Sequence, residues 1–485
     1  MDRPMIIETL TTILGTKNII TDKADMAPFL EDWRGNFKGD AAAVLLPTST
    51  QEVSDILALA DAHDLFIVPQ GGNTGLVGGG IPDMSGKMFI LSLSRMNKIR
   101  EISADNRSMI VEAGCILEDL HNLSDKHELY FPLNLAAKGS CSIGGNLSTN
   151  AGGINVLRYG NTRDLCLGLE VVLVGGKVMN LLTSLRKDNT GYDLKQLFIG
   201  GEGTLGIITA ASLKLFPKPQ AKATAIASIT SPQAGVTLLN ALRSASGDLV
   251  EAFELMPHDI FAIVEKQFPN LACPIKPIPQ FAILMEIASS DKEMARIADD
   301  GTVPIIQKLE QFLANAFEDE MIQDAVIAQN ETQRDALWAI RENAPESTKR
   351  ESKPVNTDIS VTLSDLSQFY ESASTYVKEV DAQARICGYG HMGDGNIHFN
   401  VVERLGGDPD WAGKRDAIFA AIYKALFEVN GSISAEHGIG AMKVEQLAEV
   451  KDPVALATMR AIKQTLDPKG LLNPGKIIGN ELQKG

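Results

Sequence analysis

Three glycine-rich loops constrain the fold of this chain more strongly than any other feature of its sequence. The first occupies residues 69–75 and continues in glycines to Gly80, the second occupies residues 139–153, and the third occupies residues 200–207. Clustered glycines allow backbone N–H groups to approach a pyrophosphate closely and to adopt positive φ. Because isolated turns do not need so many close backbone approaches, the three loops together predict one long ligand with phosphates in its middle.

The first loop differs from the Rossmann dinucleotide fingerprint. In that fingerprint the glycines open a helix, and an acidic residue follows about 20 positions later. Here Pro82 disfavours a helix after the glycines. Taken alone, the loop is equally consistent with a plain surface loop, so the prediction of a nucleotide ligand depends on all three loops.

Length and proline placement predict two domains. The chain has 485 residues, whereas single hydrophobic cores stop growing at roughly 250–300 residues. Strand-like segments broken by glycine loops fill the first half, and the last of them, residues 213–216, is ended by a Pro-Lys-Pro sequence at 217–219. We expect an α+β fold with a ligand-binding domain at 1–219, a sheet-and-helix domain at 220–430 and a C-terminal segment at 431–485 that returns to the first domain.

Composition argues against several classes of protein. The formal net charge of −16 disfavours a nucleic-acid surface and a polybasic membrane anchor. No apolar run approaches the ~18 residues of a transmembrane helix, and the N-terminus lacks a signal-peptide pattern. The five cysteines are odd in number and lack zinc-ribbon or redox spacing, so we expect no disulfides. That expectation favours a reducing compartment, the cytoplasm or, in a eukaryote, the mitochondrial matrix.

Two histidines flank a glycine turn in the second half. Residues 393–396, Gly-Asp-Gly-Asn, form a turn. If they close a four-residue hairpin loop, His391 pairs with His398, and directly opposed residues have Cβ atoms ~4.5–5.5 Å apart. A structural role is the ordinary alternative for a buried histidine, but two imidazoles opposed across one turn favour a metal site.

A third ligand is available at Glu436, which precedes His437 in the segment 434–440. Two histidines and one carboxylate leave an open coordination position, which is the pattern of a catalytic zinc site. The alternative is an exposed loop with ordinary charges. The glycines and isoleucines that flank the pair make full exposure less favourable.

A single arginine is predicted on the apolar face of a helix. Asn330 and Gln333 match a capping box at the start of that helix. Arg341 falls on the same face as Leu337 and Ala344. The side chain could extend its charged head to water, or it could bind a substrate carboxylate with both prongs of its guanidinium.

The three loops, in this order and spacing, resemble the FAD-binding domain of the vanillyl-alcohol-oxidase-type flavoproteins over residues 40–219. The second half, up to Ile477, resembles the D-lactate and D-2-hydroxyglutarate dehydrogenases. The resemblance implies a PCMH-type FAD-binding domain and FAD bound without a covalent bond, although Cys141 is a candidate for attachment because this superfamily uses His or Cys. The residues that it assigns to FAD are Pro69, Gln70, Gly71, Gly72, Asn73, Thr74, Gly75, Leu133, Ser140, Cys141, Gly144, Gly145, Asn146, Thr149, Asn150, Gly152, Gly153, Glu202, Gly203, Gly206, Ile207 and Asn473.

The resemblance also implies a chemistry. It assigns a divalent metal, expected to be zinc, to His391, His398 and Glu436, and it assigns the role of catalytic base to His437. A metal at the substrate's 2-hydroxyl lowers the pKa of that group, and a neutral histidine, with an unperturbed pKa of ~6.5, can then accept the proton. The hydride would pass to flavin N5. The residues implied to contact substrate are Arg341, Asn396 and His437.

The implied reaction is the oxidation of a small D-2-hydroxy acid, of the D-2-hydroxyglutarate, D-malate or D-lactate class, to the 2-oxo acid. No nicotinamide fingerprint is present, so we expect electron-transfer flavoprotein, a quinone or a cytochrome as electron acceptor, and a homodimer is left open. The hydroxyglutarate branch has a threonine and a lysine where this chain has Pro345 and Asn356. Lys349, Arg350 or Lys353 could replace the missing cation.

Two other functions are compatible with a flavin fold. One is a non-redox transferase similar to the alkyl-glycerone-phosphate synthases, which use consecutive histidines, and this chain has no adjacent pair of histidines. The other is a flavin-binding protein whose metal site is structural. An open site with three ligands disfavours that function, since structural zinc is usually closed by four ligands.

Overall fold

The computed structural model describes residues 2–479. The chain forms two compact units. The first consists of Met1–Gly152, Gly160–Pro217 and Glu436–Gly485, and the second consists of Gly153–Tyr159 and Lys218–Ala435. Within the described residues, every helix is too short or too polar to cross a bilayer. All five cysteines are buried and free.

The strands and helices follow one another along the chain as follows. The strands are β1 Ile19–Ile20, β2 Ala43–Leu45, β3 Ile67–Gln70, β4 Phe89–Ser92, β5 Ile99–Ser103, β6 Ser108–Glu112, β7 Leu129–Tyr130, β8 Cys166–Val172, β9 Val178–Asn180, β10 Ile207–Lys214, β11 Phe216–Pro217, β12 Ala221–Ile229, β13 Val250–Pro257, β14 Phe281–Ser289, β15 Asp324–Ile327, β16 Ile359–Ser360, β17 Arg385–Tyr389 and β18 Asn396–Val402. The α-helices are α1 Arg3–Leu14, α2 Lys23–Met26, α3 Thr50–His63, α4 Leu117–Lys126, α5 Ile143–Thr149, α6 Val156–Tyr159, α7 Thr162–Leu165, α8 Lys195–Phe198, α9 Pro232–Ser246, α10 His258–Gln267, α11 Pro304–Glu318, α12 Glu331–Glu342, α13 Ala344–Glu351, α14 Leu366–Val380, α15 Trp411–Glu428, α16 Val444–Val450 and α17 Pro453–Leu466.

Among residues 2–479, the first unit contains three sheets. In the order β1-β2-β4-β3, strands β2 and β3 run parallel to β4, and β1 is antiparallel to β2. The order β5-β6-β10-β8-β9 is antiparallel throughout, and β11 pairs with β7. The first glycine loop leaves the end of β3, and the third loop leads directly into β10. Both loops are therefore fixed at the ends of hydrogen-bonded strands.

One strand prediction in this unit needs correction. The strand predicted at 213–216 is the end of β10, which begins at Ile207 and gives way to the separate short strand β11. Strand β3 of the same unit contains Pro69 and continues to Gln70. Proline is tolerated there because β3 lies at the edge of its sheet, where one side of the strand needs no ladder hydrogen bond.

The second unit contains a four-stranded antiparallel sheet in the order β13-β14-β12-β15 and a three-stranded antiparallel sheet in the order β16-β18-β17. A bridge between Leu255 of β13 and Gly390, directly after β17, joins the two sheets. Helices α10 and α12 pack into one core with β13 and β17, where Phe261, Trp338 and Tyr389 are buried together. This packing brings α12 and the end of β17 to the same part of β13.

Candidate active site

The three glycine loops pack against one another through their backbones. A Cβ on Gly72 in the first loop would collide with the carbonyl oxygen of Ser140 in the second loop. A Cβ on Gly203 in the third loop, where φ is +68°, would collide with the ring of Pro69. Glycine is thus required at both positions by close approach, and at Gly203 also by backbone conformation.

The surfaces of these loops fit a polar ligand such as FAD. Ser142 Oγ, Asn146 Oδ1 and Asn473 Oδ1 are buried and have no hydrogen-bond partner within residues 2–479. Buried polar atoms of this kind normally have a partner. Gly72 and Ser142 also line a cavity of about 420 Å³. A bound dinucleotide would supply the missing hydrogen bonds and would fill this cavity.

Some predicted cofactor residues use their side chains to shape the loops. Gln70 Nε2 donates to Gly80 O at 2.9 Å, and Asn73 Nδ2 donates to Glu31 O at 2.9 Å. Asn150 Oδ1 accepts from the backbone N–H of Arg163 at 2.9 Å. Their proposed contacts with FAD would therefore use backbone groups or the remaining side-chain atoms. The thiol of the candidate attachment residue, Cys141, is buried, and burial raises its pKa.

Replacing Gly72 with alanine is expected to lower FAD content. The new Cβ would meet a backbone oxygen, which cannot rotate away as a flexible side chain could, so the first two loops must separate. Overpacking of this kind typically costs about 1–3 kcal/mol. The ratio of flavin to protein absorbance, together with thermal denaturation, measures the effect. Gly413→Ala is the matched control because a Cβ there meets nothing within 4 Å; equal flavin content in both variants would contradict the packing argument.

Glu202 has a structural role that the sequence did not indicate. Its carboxylate accepts the backbone N–H groups of Ile439 and Gly440, each at 2.7 Å. Burial raises the pKa of Glu202 despite these two bonds. Asn473 Nδ2 donates to the carbonyl of Glu202 at 2.8 Å. The third glycine loop therefore holds the chain immediately after His437.

The second glycine loop also touches this segment within the first unit. A Cβ on Gly152 would collide with the carboxylate of Glu436. Glu436 and His437 are both partly buried. The sequence expectation that this pair is not fully exposed is thus correct, and the segment 436–440 rests on two of the three glycine loops.

The histidine hairpin in the second unit has a different register from the predicted one. His398 pairs with Tyr389, and His391 lies in the loop that follows, so the predicted pairing of His391 with His398 is wrong. The loop is longer because it contains a 3₁₀ turn at Met392–Asp394, closed by Gly395 at φ 82°. His391 follows Gly390, which has φ 139° and forms a bridge with Leu255 of β13, so the position of His391 is set by this loop rather than by strand pairing with His398.

The two imidazoles meet despite the changed register. Their ring centroids are 5.7 Å apart at an interplanar angle of 75°, and a ring nitrogen of His391 lies within 4.8 Å of one of His398. Leu157, four residues after the second glycine loop, packs on Gly393 at the tip of the turn, where a Cβ would lie 2.6 Å from its Cδ2. The pair could hold a metal ion through two ring nitrogens.

Each of the two histidines lies close to a buried carboxylate. Glu254 Oε1 lies 2.6 Å from His391 Nδ1, and an oxygen of Asp358 lies within 4.8 Å of a ring nitrogen of His398. Asn396 Nδ2 donates to Asp358 Oδ1 at 3.2 Å, while Asn396 Oδ1 is buried and lacks a partner within the described part of the chain. That oxygen is the atom with which Asn396 could contact a substrate.

Arg341 is buried and does not extend to water. Its side chain is 9% exposed, its Nε donates to Glu254 Oε2 at 2.6 Å, and its guanidinium lies over the ring of Tyr389, 4.9 Å from the centroid. Burial alone would raise the pKa of Glu254, but the charges of His391 and Arg341 outweigh it and lower this pKa to about 2. The alternative of a water-seeking arginine is therefore excluded.

The helix that carries Arg341 differs from the prediction at both ends. Asn330 Oδ1 accepts from Gln333 N at 3.0 Å, but the Gln333 side chain accepts from Gln329 N rather than from Asn330, so only half of the capping box forms. The helix ends at Glu342, and Ala344 begins the next helix because Pro345 cannot continue the first. Arg341 thus lies in the last turn of α12.

Comparison with known proteins bears on both halves of the chain. The family model described as "FAD linked oxidases, C-terminal domain" matches residues 218–477, and the model described as "FAD binding domain" matches residues 41–182. A mitochondrial D-2-hydroxyglutarate dehydrogenase of Arabidopsis thaliana is 38% identical over 470 residues, which cover 97% of this chain and 81% of that protein. The mitochondrial enzyme of the same name from Bos taurus is 39% identical over 461 residues, covering 95% and 81%.

Solved structures show the fold. p-Cresol methylhydroxylase superposes with a TM-score of 0.75 at 15% identity, covering 98% of this chain and 97% of that one. An alkyldihydroxyacetonephosphate synthase superposes with a TM-score of 0.70 at 17% identity, covering 98% and 85%. The predicted α+β fold with a PCMH-type FAD-binding domain is confirmed.

Proposed function

Because this chain belongs to the FAD-linked oxidase family, among relatives named D-2-hydroxyglutarate dehydrogenases, we propose that it oxidises a small D-2-hydroxy acid to the 2-oxo acid with FAD as hydride acceptor. The family predicted from the sequence is confirmed. The observation that carries the proposal is the joint attachment of Arg341 and His391 to one buried carboxylate, Glu254. A carboxylate-binding cation thereby lies beside a histidine pair able to hold a metal.

Each of three residues would have a separate role in the reaction. Arg341 would bind the substrate carboxylate, because a guanidinium matches its planar geometry. The buried Oδ1 of Asn396 would accept a hydrogen bond from the substrate. His437 would accept the proton of the 2-hydroxyl group. When bound, FAD would supply the hydride acceptor, and a divalent metal the positive charge that acidifies the hydroxyl.

We further propose that the metal ligands are His391, His398 and Glu436, and that the metal is zinc, since the role needs no redox change. Support for Glu436 comes from the residues before it. Ala435 N donates to Asp358 O at 3.3 Å, and Ser434 Oγ donates to Asp358 Oδ2 at 3.4 Å. Asp358 itself lies close to His398, so the chain is fixed next to the histidine pair directly before Glu436.

The substrate side chain is proposed only as a class. The three cations that might have bound a second carboxylate, Lys349, Arg350 and Lys353, are all exposed, and Arg350 pairs with Glu346 at 2.9 Å. We therefore propose hydroxyglutarate, malate and lactate alike as candidate substrates. Electron-transfer flavoprotein, a quinone or a cytochrome is proposed as acceptor, in the cytoplasm or in the mitochondrial matrix of a eukaryote.

An anaerobic screen tests the function. The purified protein should be yellow, and D-2-hydroxyglutarate, D-malate and D-lactate should be compared with their L-enantiomers by following loss of flavin absorbance. At least one D-acid is expected to bleach the flavin, and no L-acid is. Equal bleaching by both enantiomers would contradict the assignment of handedness. A yellow protein that no 2-hydroxy acid bleaches would instead favour the non-redox transferase.

A further inference from the structure

We propose that Glu254 is a positioning residue that fixes the proposed carboxylate-binding arginine and the proposed metal ligand His391 in one arrangement. The inference rests on the proposed function and adds a residue to it. Glu254 lies on β13, and its side chain is 1% exposed. Its two oxygens contact different partners. Oε2 accepts a hydrogen bond from Arg341 Nε, and Oε1 is hydrogen-bonded to His391 Nδ1, each at 2.6 Å.

One consequence of this geometry concerns the histidine tautomer. An ionised carboxylate can only accept hydrogen bonds, so the Nδ1 of His391 must carry the proton. When the imidazole is neutral, its lone pair is then on Nε2, and this tautomer can bind a metal through that atom. Carboxylates that orient a ligating histidine in this way generally raise its basicity and fix its ring.

A second consequence concerns the arginine. The bond to Glu254 uses the Nε–H of Arg341, and the ring of Tyr389 lies against the guanidinium. Together these contacts fix the plane of the guanidinium. Because the same carboxylate holds both groups, the spacing between Arg341 and His391 is set by one side chain rather than by two independent ones.

The backbone around Glu254 is fixed to the same loop. Leu255 N donates to Gly390 O at 2.9 Å, and Gly390 N donates back to Leu255 O at 3.1 Å. The residue after Glu254 is thus paired with the residue before His391. Backbone and side-chain contacts therefore both fix the position of the loop that carries His391 relative to strand β13. Binding sites need supporting contacts of this kind to keep their geometry.

Glu286 supplies a natural comparison. It is also buried in this sheet and has a pKa lowered to about 2, where burial opposes the lowering and the charges of Lys222 and Arg334 prevail. It binds α12 through Arg334 Nε and Trp338 Nε1, each at 2.9 Å. Glu286 and Glu254 therefore both attach α12 to the sheet, but only Glu254 attaches Arg341 and His391. A purely structural role would make the two substitutions equivalent.

The test compares Glu254→Gln with Glu286→Gln in the full-length FAD-containing protein. In Glu254→Gln the amide can accept from Arg341 only with its oxygen, so its NH₂ group faces His391 and favours the tautomer with the proton on Nε2. Zn²⁺ titration of the metal-free proteins is expected to show affinity about 10–100-fold weaker in Glu254→Gln. The KM for the D-2-hydroxy acid at saturating Zn²⁺ should also rise. Glu286→Gln should lower the Tm but leave Zn²⁺ affinity and KM at wild-type values.

Several outcomes would overturn the inference. Wild-type Zn²⁺ affinity and KM in Glu254→Gln would show that the carboxylate is not needed for positioning, and equal losses in both variants would show a general effect on folding. If Glu254→Gln does not fold, Glu254→Asp takes its place. The shorter side chain cannot reach both partners, so wild-type values for both quantities would count equally against us. A wild-type protein that neither binds Zn²⁺ nor reduces its flavin would defeat the proposed function itself, whereas a functional wild type with an unaffected variant defeats only the role of Glu254.

Discussion

A His391→Ala protein is expected to bind its divalent metal at least about 100-fold more weakly, because even an outer-shell partner typically changes metal affinity 10–100-fold. Turnover should fall with the metal content. The substitution removes one of two imidazoles whose ring nitrogens lie within 4.8 Å of each other. It also removes one partner of the buried Glu254 carboxylate, and we expect a further loss of about 1–3 kcal/mol in the free energy of unfolding. Elemental analysis, Zn²⁺ titration and thermal denaturation measure the three effects.

The matched control for this prediction is His258→Ala. His258 is in the same unit, and its side chain is 45% exposed. Its loss should leave metal content and activity unchanged. Retention of the metal in His391→Ala would show that the histidine pair is not the metal site, whatever happens to stability. Recovery of activity at high Zn²⁺ concentration would support a ligand role, because added metal cannot replace a catalytic proton acceptor.

The two histidines illustrate what the sequence could predict about the site. Turn chemistry at residues 393–396 indicated that the chain reverses there, and this reversal predicted that His391 and His398 approach each other. The register was wrong by two residues, since the 3₁₀ turn at Met392–Asp394 has no distinct sequence signal. The imidazoles are nevertheless close, with ring centroids 5.7 Å apart, although His391 lies in the loop and not in the predicted strand pair.

Glu254 and Glu202 show what the sequence could not predict. Glu254 is 137 residues from His391 and 87 from Arg341, and these pairings exist only through the fold. A weak signal was present, because two acidic residues occur in a strand, Val250–Pro257, that is buried along its whole length. Charged groups are seldom fully buried unless they are paired, so such a strand predicts a partner without identifying it. The family resemblance assigned Glu202 to FAD binding, and in the structure its carboxylate holds the backbone at residues 439–440.

The second large effect is expected for His437→Ala, which should retain FAD and metal but lose flavin reduction by about 10²-fold or more, the usual contribution of a general base. Two hydrogen bonds from the backbone to the Glu202 carboxylate hold the chain after His437, and these bonds do not involve the imidazole, so they should persist in the variant. Stopped-flow measurement of flavin reduction, with elemental analysis of the same sample, tests both parts. Because a protonated histidine cannot accept a proton, we expect the wild-type rate to fall at acidic pH, and the variant should lack this fall.

Metal content decides between the two roles that a histidine next to Glu436 could have. If His437→Ala loses its metal as fully as His391→Ala does, His437 is a ligand and the proton acceptor must be another group. If it keeps the metal and full activity, His437 has neither role and the assignment of the segment 434–440 is wrong. Glu202→Gln provides the control for backbone placement. The glutamine amide has only one accepting oxygen and no charge, so it cannot replace the two charge-assisted hydrogen bonds that the carboxylate accepts. A rate loss in His437→Ala far larger than in Glu202→Gln, with the metal retained in both, would locate the effect in the imidazole itself.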